Sequence, residues 1–344
     1  MAGTNLGIDF GTSKVSIFRE VAGIVLCEPS VIALESKTGR VIAVGQEAFE
    51  MMGKEPPTIR VIQPIRKGVV SDYDGAEKLL RAFVNQVCAF KIFKPRAAIS
   101  IPAAVTEVEE RSVVQAATAV GIRRVALVKE YIAAAIGAGL PVNEPHGCMI
   151  VDIGAGTTDI GVLSLGNVAS AKSVKVAGDD MDEAIVRMVR SRYNHIIGLK
   201  TAEEIKRTIG GVLPREATME VRGRDSLSGL PCLKTVSAAD VFEAIAEPFS
   251  AILTAIQSVL EVTPPEIAGD VMANGVTLSG GCAHLFGLAE RLSRELGVEC
   301  RLAERPADCV ALGAGQAAAA KTASTENVYD VNLFSYDRSD WVQS

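Results

Sequence analysis

An aspartate closes an apolar run at Met149-Ile150-Val151-Asp152. A small-residue turn follows, Ile153-Gly154-Ala155-Gly156-Thr157-Thr158, and an alternating strand resumes at Asp159-Ile160-Gly161-Val162-Leu163. This pattern predicts a β-hairpin whose tight turn bares backbone N–H groups beside one carboxylate. Glycines let backbone approach a ligand closely, and successive N–H groups make an anion-binding concavity. Asp152 would repel a bare phosphate, so its chemistry suits Mg2+, held directly or through water, with phosphate on the turn. Taken alone, such an aspartate can equally do no more than cap its own turn. The plan occurs twice, however, at Leu6-Gly7-Ile8-Asp9-Phe10-Gly11-Thr12-Ser13-Lys14 and the strand Val15-Ser16-Ile17-Phe18.

Two such hairpins in two halves of a chain imply a duplicated fold that grips one polyphosphate from both sides. Asp9 and Asp152 are then the metal candidates. Gly11, Gly154, Ala155 and Gly156 supply backbone, while Thr12, Ser13 and Thr157 offer hydroxyls to phosphate or to an attacking water. Lys14 either neutralises phosphate charge or is a solvated strand residue. No GxxxxGK[ST] loop and no strand-linked GxGxxG fingerprint competes with this reading.

The 344 residues suffice for two domains with separate cores. A net charge of −6 argues against a dedicated nucleic-acid binder. No apolar run approaches the roughly 18 residues of a membrane span, and the N-terminus lacks the regions of a signal peptide. The seven cysteines include no CxxC pair and only three histidines accompany them, so buried free thiols in a reducing compartment are expected rather than zinc ligands or disulfides.

Around the hairpins, further strands are expected at Gly23–Cys27, Val31–Leu34, Val41–Val44, Ala97–Ile101, Val125–Val128, Val168–Val176, Gly275–Leu278 and Glu299–Leu302. Helical periodicity runs from Gly75 to Phe90, from the capping box Thr106-Glu107-Val108-Glu109 to Val120, and from Tyr131 to Gly139. It returns from Asp179 to Ile197, from Thr201, from Ser237 to Val262 where Pro264-Pro265 ends it, from Ala283 to Leu296, and from Val310 to Lys321. The boundary between halves falls in the Pro/Asn/Gly-bearing linker Pro141 to Gly147. This alternation predicts an α/β class with mixed sheets. Leu278-Ser279-Gly280-Gly281-Cys282 is a strand-to-helix turn against which a flat ring can lie. Glu203, Lys206 and Arg207 share one face of the helix opened at Thr201, either as ligand contacts or as a solvated charged face.

The paired turns resemble the phosphate motifs of the actin, sugar-kinase and heat-shock-chaperone ATPase superfamily. Further stretches narrow the resemblance to the MreB family of bacterial actins over roughly residues 5–320. They are Glu28-Pro29-Ser30-Val31-Ile32-Ala33, Phe93-Lys94-Pro95-Arg96, Ala177-Gly178-Asp179-Asp180-Met181-Asp182-Glu183 and Thr263-Pro264-Pro265-Glu266. The Gly-Ala-Gly-Thr-Thr-Asp turn is also similar to that of the magnetosome-aligning MamK branch. Departures from the family pattern are Lys129-Glu130-Tyr131 in place of Glu-Glu-Pro, Ala155 and Cys282 in place of glycines, and the tail beyond residue 322.

The resemblance implies a duplicated actin-like fold: domain I over 1–143 with an inserted subdomain near 30–70, and domain II over 144–305 with one near 180–240. A C-terminal helix, 306–321, returns to domain I, and 322–344 form a tail. ATP and Mg2+ would bind between the domains, with Gly280 and Gly281 as the adenosine turn and Glu203 and Lys206 beside the ribose and adenine. Glu130 and Thr157 would place the attacking water and Asp9 and Asp152 the Mg2+ shell. The stretches around Val128–Gly137 and Leu312–Gly315 correspond to the connecting motifs of the hinge. The implied activity is slow, polymerisation-linked ATP hydrolysis by a cytoskeletal filament of a single protein, cytoplasmic and peripheral at the inner face of the cell membrane. Its partners would be further copies of the chain, the membrane and membrane proteins of the cell-shape machinery, with no nucleic acid. Organelle alignment, or a non-polymerising kinase or chaperone ATPase, is the alternative. Ile92 and Phe93, flanked by Lys91, Lys94 and Arg96, would dip into a lipid headgroup layer, or else close the core at a helix end.

Overall fold

The computed structural model describes residues 5–88 and 95–323. Each half builds a five-stranded sheet, and the two share one plan. In the first, the spatial order is Gly23–Pro29, Lys14–Arg19, Asn5–Phe10, Arg96–Ile101 and Arg124–Lys129. In the second it is Asn167–Val174, Thr158–Ser164, Cys148–Ile153, Val276–Ser279 and Cys300–Leu302. The first three strands of each pair antiparallel and the last two add in parallel. Each central strand carries the aspartate of its hairpin one residue before its end.

The central strands read as continuous apolar runs because both their faces are covered. Leu6, Ile8, Ile99, Leu79 and Phe83 belong to the core of the first half, and Val151, Ile153, Leu278, Ile185 and Ile256 to that of the second. A third core joins them: Tyr131, Ile132 and Ile136 pack with Ile150, Leu163, Val310 and Ala314. There the helices Glu130–Gly137 and Cys309–Ala323 cross backbone to backbone, since a side chain on Gly137 would overlap the Cys309 carbonyl and one on Gly313 the Ala133 carbonyl. Overpacking such a contact costs about 1–3 kcal/mol or more. The small residues of the two connecting motifs are thus required by the crossing.

Two three-stranded sheets are inserted, Val41–Val44, Ile32–Glu35 and Ile59–Ile62 in the first half, and His195–Ile196, Thr218–Asp225 and Pro231–Ser237 in the second, besides a two-stranded hairpin, Ile65–Arg66 and Val69–Val70. The strand at Gly23 extends to Pro29, and the capping box at Thr106 forms as expected.

Several boundaries differ from the sequence expectation. The helix from Gly178 stops at Tyr193, because Asn194 turns left-handed at φ 49° and His195 enters a strand. The segment from Ala283 is a single 3-10 turn, Gly281–His284, followed by the helix Leu288–Leu296. Pro265 opens a helix, Pro265–Asn274, at the position where a missing N–H costs nothing. Ala238–Val262 has the length and composition of a membrane span, yet Val241, Ile245, Phe249, Ile252 and Ile256 lie in the second core. All seven cysteines are free; Cys148, Cys300 and Cys309 are buried, but Cys27 is exposed, contrary to expectation. Ile92 and Phe93 lie outside the described residues.

Candidate functional site

The two hairpin turns close in the same way. Gly11 N–H donates to the Lys14 carbonyl at 3.1 Å, and Gly154 N–H donates to the Thr157 carbonyl at 2.9 Å. Each turn is also held from behind. Ser30 donates its hydroxyl to the Gly11 carbonyl at 2.5 Å and its N–H to the Ser13 carbonyl at 2.9 Å. On the second turn, the first N–H groups of the helix Gly178–Tyr193 do the same: Gly178 to the Gly154 carbonyl at 3.3 Å and Asp179 to the Ala155 carbonyl at 2.8 Å. The Gly11, Ser13, Gly154 and Ala155 carbonyls are thereby paired within the protein, which lessens the negative polarity that would oppose an anion at the turns. In the same Glu-Pro-Ser stretch, Glu28 accepts the Gln46 N–H at 2.8 Å and so caps the helix Gln46–Met51.

Four carboxylates converge beneath the turns: Asp9, Glu130, Asp152 and Asp159. Burial is the first cause of the perturbation in each. It pushes Asp9 up to about 6, against the attraction of Lys14 and a hydrogen bond from Ser100 at 3.3 Å. It pushes Asp152 up to about 7. Glu130 is driven well above the usual carboxylate range by burial, then by the charges of Asp159, Asp9 and Asp152. Asp159 is also raised by burial, although its Oδ1 accepts the Ala103 N–H at 2.8 Å. Thr157 donates toward Glu130 Oε2 at 3.4 Å. Such a cluster is costly without a cation, and Asp152 Oδ1 is buried with no hydrogen-bond partner.

Lys14 is not a solvated strand residue. Its ammonium donates to the Ala307 carbonyl at 2.7 Å and stands 3.7 Å from Asp308. Ser13, Lys14, Glu28, Phe49, Glu203 and Arg207 line an open cleft of about 780 Å3 between the first hairpin and the helix Leu199–Ile209. Lys206 behaves differently from its neighbour Glu203. Its ammonium is buried and committed to Asp182 at 2.8 Å and to the Gly178 carbonyl at 2.9 Å. Gly280 donates to the Pro306 carbonyl at 2.9 Å, and Cys282 Sγ donates to the Gly154 carbonyl at 3.2 Å, so the strand-to-helix turn abuts the second hairpin turn.

The structure therefore brings Asp9, Gly11, Thr12, Ser13, Lys14, Glu130, Asp152, Gly154, Ala155, Gly156 and Thr157 together where the two hairpins meet. Glu203 lines the open cleft beside them, while Gly280 packs on the Ile153 backbone and is absent from that lining, as is Gly281. Asp159 was missed in the sequence, where it reads as one polar position of an alternating strand; the signal was a carboxylate seven residues after Asp152, in register with it.

The model for the MreB/Mbl protein family matches residues 3–326. Among curated proteins, the cell shape-determining protein Mbl of Bacillus subtilis is 43% identical over 318 residues, covering 92% of this chain and 96% of that protein. The cell shape-determining protein MreB of Escherichia coli is 42% identical over 325 residues, covering 92% and 94%. Among solved structures, MreB5 of Spiroplasma citri bound to ADP superposes with a TM-score of 0.86 at 34% identity, over 91% of this chain and 95% of that one. The MamK double helical filament superposes at 0.80 with 22% identity, a likeness of fold alone. The duplicated sheets and facing aspartate turns are those of an actin-like fold, and the chain belongs to the MreB/Mbl family.

Proposed function

We propose that the chain is an ATP-hydrolysing bacterial actin that assembles into filaments and takes part in determining cell shape, in keeping with its cell shape-determining relatives Mbl and MreB. The single observation that carries the nucleotide reading is the pair of equivalent turns over four converging carboxylates, Glu130, Asp152 and Asp159 buried and Asp9 half-buried. MreB5 of Spiroplasma citri has been solved with ADP and with AMPPNP, which supports placing the same class of ligand here. The two halves act as domains meeting near residue 143, with the C-terminal helix returning to the first.

The residues fit Mg2+. The partnerless Asp152 Oδ1 asks for a cation, and Asp9 faces it from the other half. Among the described residues no three acidic, histidine or cysteine groups are set to cage a metal. Asp9 and Asp152 would accordingly hold the ion largely through its waters, as Mg2+ prefers. Bound there, it would offset phosphate charge. Thr12, Ser13 and the glycine turns bind phosphate; Glu203, Gly280 and Gly281 border the nucleoside; Glu130 and Thr157 orient water for in-line attack. Catalysis of this kind is mostly positioning and electrostatics.

Subunits adding head to tail through an interface that does not close give a filament. Its membrane contact is assigned to Ile92 and Phe93 on sequence grounds, with many weak copies summed by avidity. The deciding experiment is sedimentation and electron microscopy of the purified chain with ATP·Mg2+, with and without anionic liposomes. Filaments that need ATP support the reading. A protein that binds ATP but stays monomeric at all concentrations overturns the filament, and an Ile92→Ser/Phe93→Ser variant whose filaments still co-float with lipid overturns the anchor.

A further inference from the structure

The short hairpin Ile65–Arg66 and Val69–Val70 is joined by Lys67-Gly68, whose φ values are +49° and +74°. A two-residue turn with both φ positive has the twist a hairpin needs, and its first position ordinarily takes Asn, Asp or Gly. Lysine is a poor choice there on backbone grounds alone. What it supplies is reach. Lys67 Nζ lies 2.6 Å from Asp180 Oδ2, in a pair whose side chains are 32% and 26% exposed. Asp180 belongs to the first turn of the helix Gly178–Tyr193 in the other half, where the same oxygen accepts the Ala177 N–H at 2.8 Å.

The tip of the hairpin is seated between the two phosphate turns. Gly68 N–H donates to Thr12 Oγ1 at 2.9 Å. Gly156 meets the Lys67 backbone so closely that any side chain there would overlap it, and Gly68 packs on the Thr157 methyl in the same way. One short element thus touches a residue of each turn, including the threonine beside Glu130, and its lysine ties it across the cleft. Two other lysines that reach across the cleft stand apart from this point: Lys200 lies over the Phe49 ring at 4.4 Å, and Lys14 reaches the Ala307 carbonyl.

We propose that Lys67 is a positioning residue, whose ion pair with Asp180 clasps the two halves over the phosphate turns and slows the exit of nucleotide. This rests on the reading that the cleft holds a nucleotide. The strained turn then has a reason, since an asparagine would suit the backbone better but could not reach Asp180. A pair this exposed is screened by solvent, so its loss should speed release by only about two- to fivefold.

The test is stopped-flow release of N-methylanthraniloyl-ADP from the full chain with Mg2+, chased by unlabelled ATP. Lys67→Asn removes the cation and suits the turn; Asp180→Asn removes the charge and keeps an acceptor for the Ala177 N–H. Each single variant should release faster, the double variant no faster than either, and added salt should speed the wild type but not the variants. Thermal melts without nucleotide should show Lys67→Asn at least as stable as wild type, which a purely structural brace would not allow. Wild-type release rates in both single variants, or additive effects insensitive to salt, overturn the clasp while the nucleotide reading stands. A wild-type chain that binds no labelled ADP overturns both.

Discussion

Asp152 and Asp159 face each other as register partners across the second hairpin, and the same two positions of the first hairpin hold Asp9 and Ser16. The duplication is therefore unequal where chemistry would occur. Both halves offer one carboxylate at the strand end, but only the second adds another in register with it. The turns differ in the same sense: Thr157 occupies the place that Lys14 has in the first. Glu130 lies on the second half's side of this asymmetry, with Thr157 against its Oε2 and the Asp159 charge raising its affinity for a proton. On the proposed reading, the first hairpin would offset phosphate charge and the second would handle water.

Asp159→Asn should separate these roles. The amide oxygen can still accept the Ala103 N–H, so the fold is kept. Removing a negative charge beside Glu130 lowers that group's proton affinity. The acid limb of the hydrolysis rate should move to lower pH while nucleotide affinity changes little. A limb that stays in place, measured as phosphate release across pH at saturating ATP, would show that Asp159 does not tune Glu130.

Asp152→Asn is expected to trade function for stability. It removes a charge whose Oδ1 has no hydrogen-bond partner, so the nucleotide-free chain should gain on the order of 1 kcal/mol, read as a higher melting temperature. The same change should abolish the extra stabilisation that Mg2+ adds to nucleotide binding. A variant whose melting temperature still rises with ATP·Mg2+ as far as wild type would sink the metal assignment.

The pH dependence of stability has a definite sign. Asp9 at about 6 and Asp152 at about 7 are both raised above the ordinary value of 3.8, by burial first. Between pH 4 and 7 the folded chain then holds more protons than the unfolded one, so stability contributed by these groups is full below about pH 4 and is lost as pH rises through 6 and 7. The nucleotide-free chain should lose a few kcal/mol over that window. Mg2+ with nucleotide favours the ionised forms and should remove much of the loss. Equal slopes of melting temperature against pH with and without ATP·Mg2+ would contradict this linkage.

Much of the cleft was legible because its parts are local. Each Asp-x-Gly turn lies within ten residues of the alternating strand that completes it, so pattern and chemistry can be read together. What brings the two turns face to face is not local. It depends on the parallel partners Arg96–Ile101 and Val276–Ser279 and on the backbone crossing of Gly137 with Cys309. Asp159 carries little local signal because its partners, the Ala103 N–H and the Glu130 carboxyl, are distant in sequence. The run from Ala283 read as one helix because its apolar spacing continues through a 3-10 turn. Lys67 gave no signal at all, since a lysine before a glycine announces neither a left-handed turn nor a partner in the other half.

Glu130 tests the division of labour most directly. It is the first residue of the helix Glu130–Gly137, buried against the hinge core, and its carboxyl accepts from the Thr157 hydroxyl at 3.4 Å. A group so placed can orient water but has little to offer to binding. Glu130→Gln keeps the size and an acceptor for the Thr157 hydroxyl, and removes the repulsion from Asp9, Asp152 and Asp159. ATP affinity should therefore be kept or improved. Phosphate release should fall by about 10²–10⁴-fold, as loss of a positioned acid–base group typically does. If filaments disassemble after hydrolysis, those of the variant should persist correspondingly longer with ATP, and wild-type and variant filaments should persist alike with a non-hydrolysable analogue. The measurement is phosphate release together with sedimentation over time. Weakened ATP binding with unchanged turnover per bound ATP would move Glu130 from the reaction to the hinge.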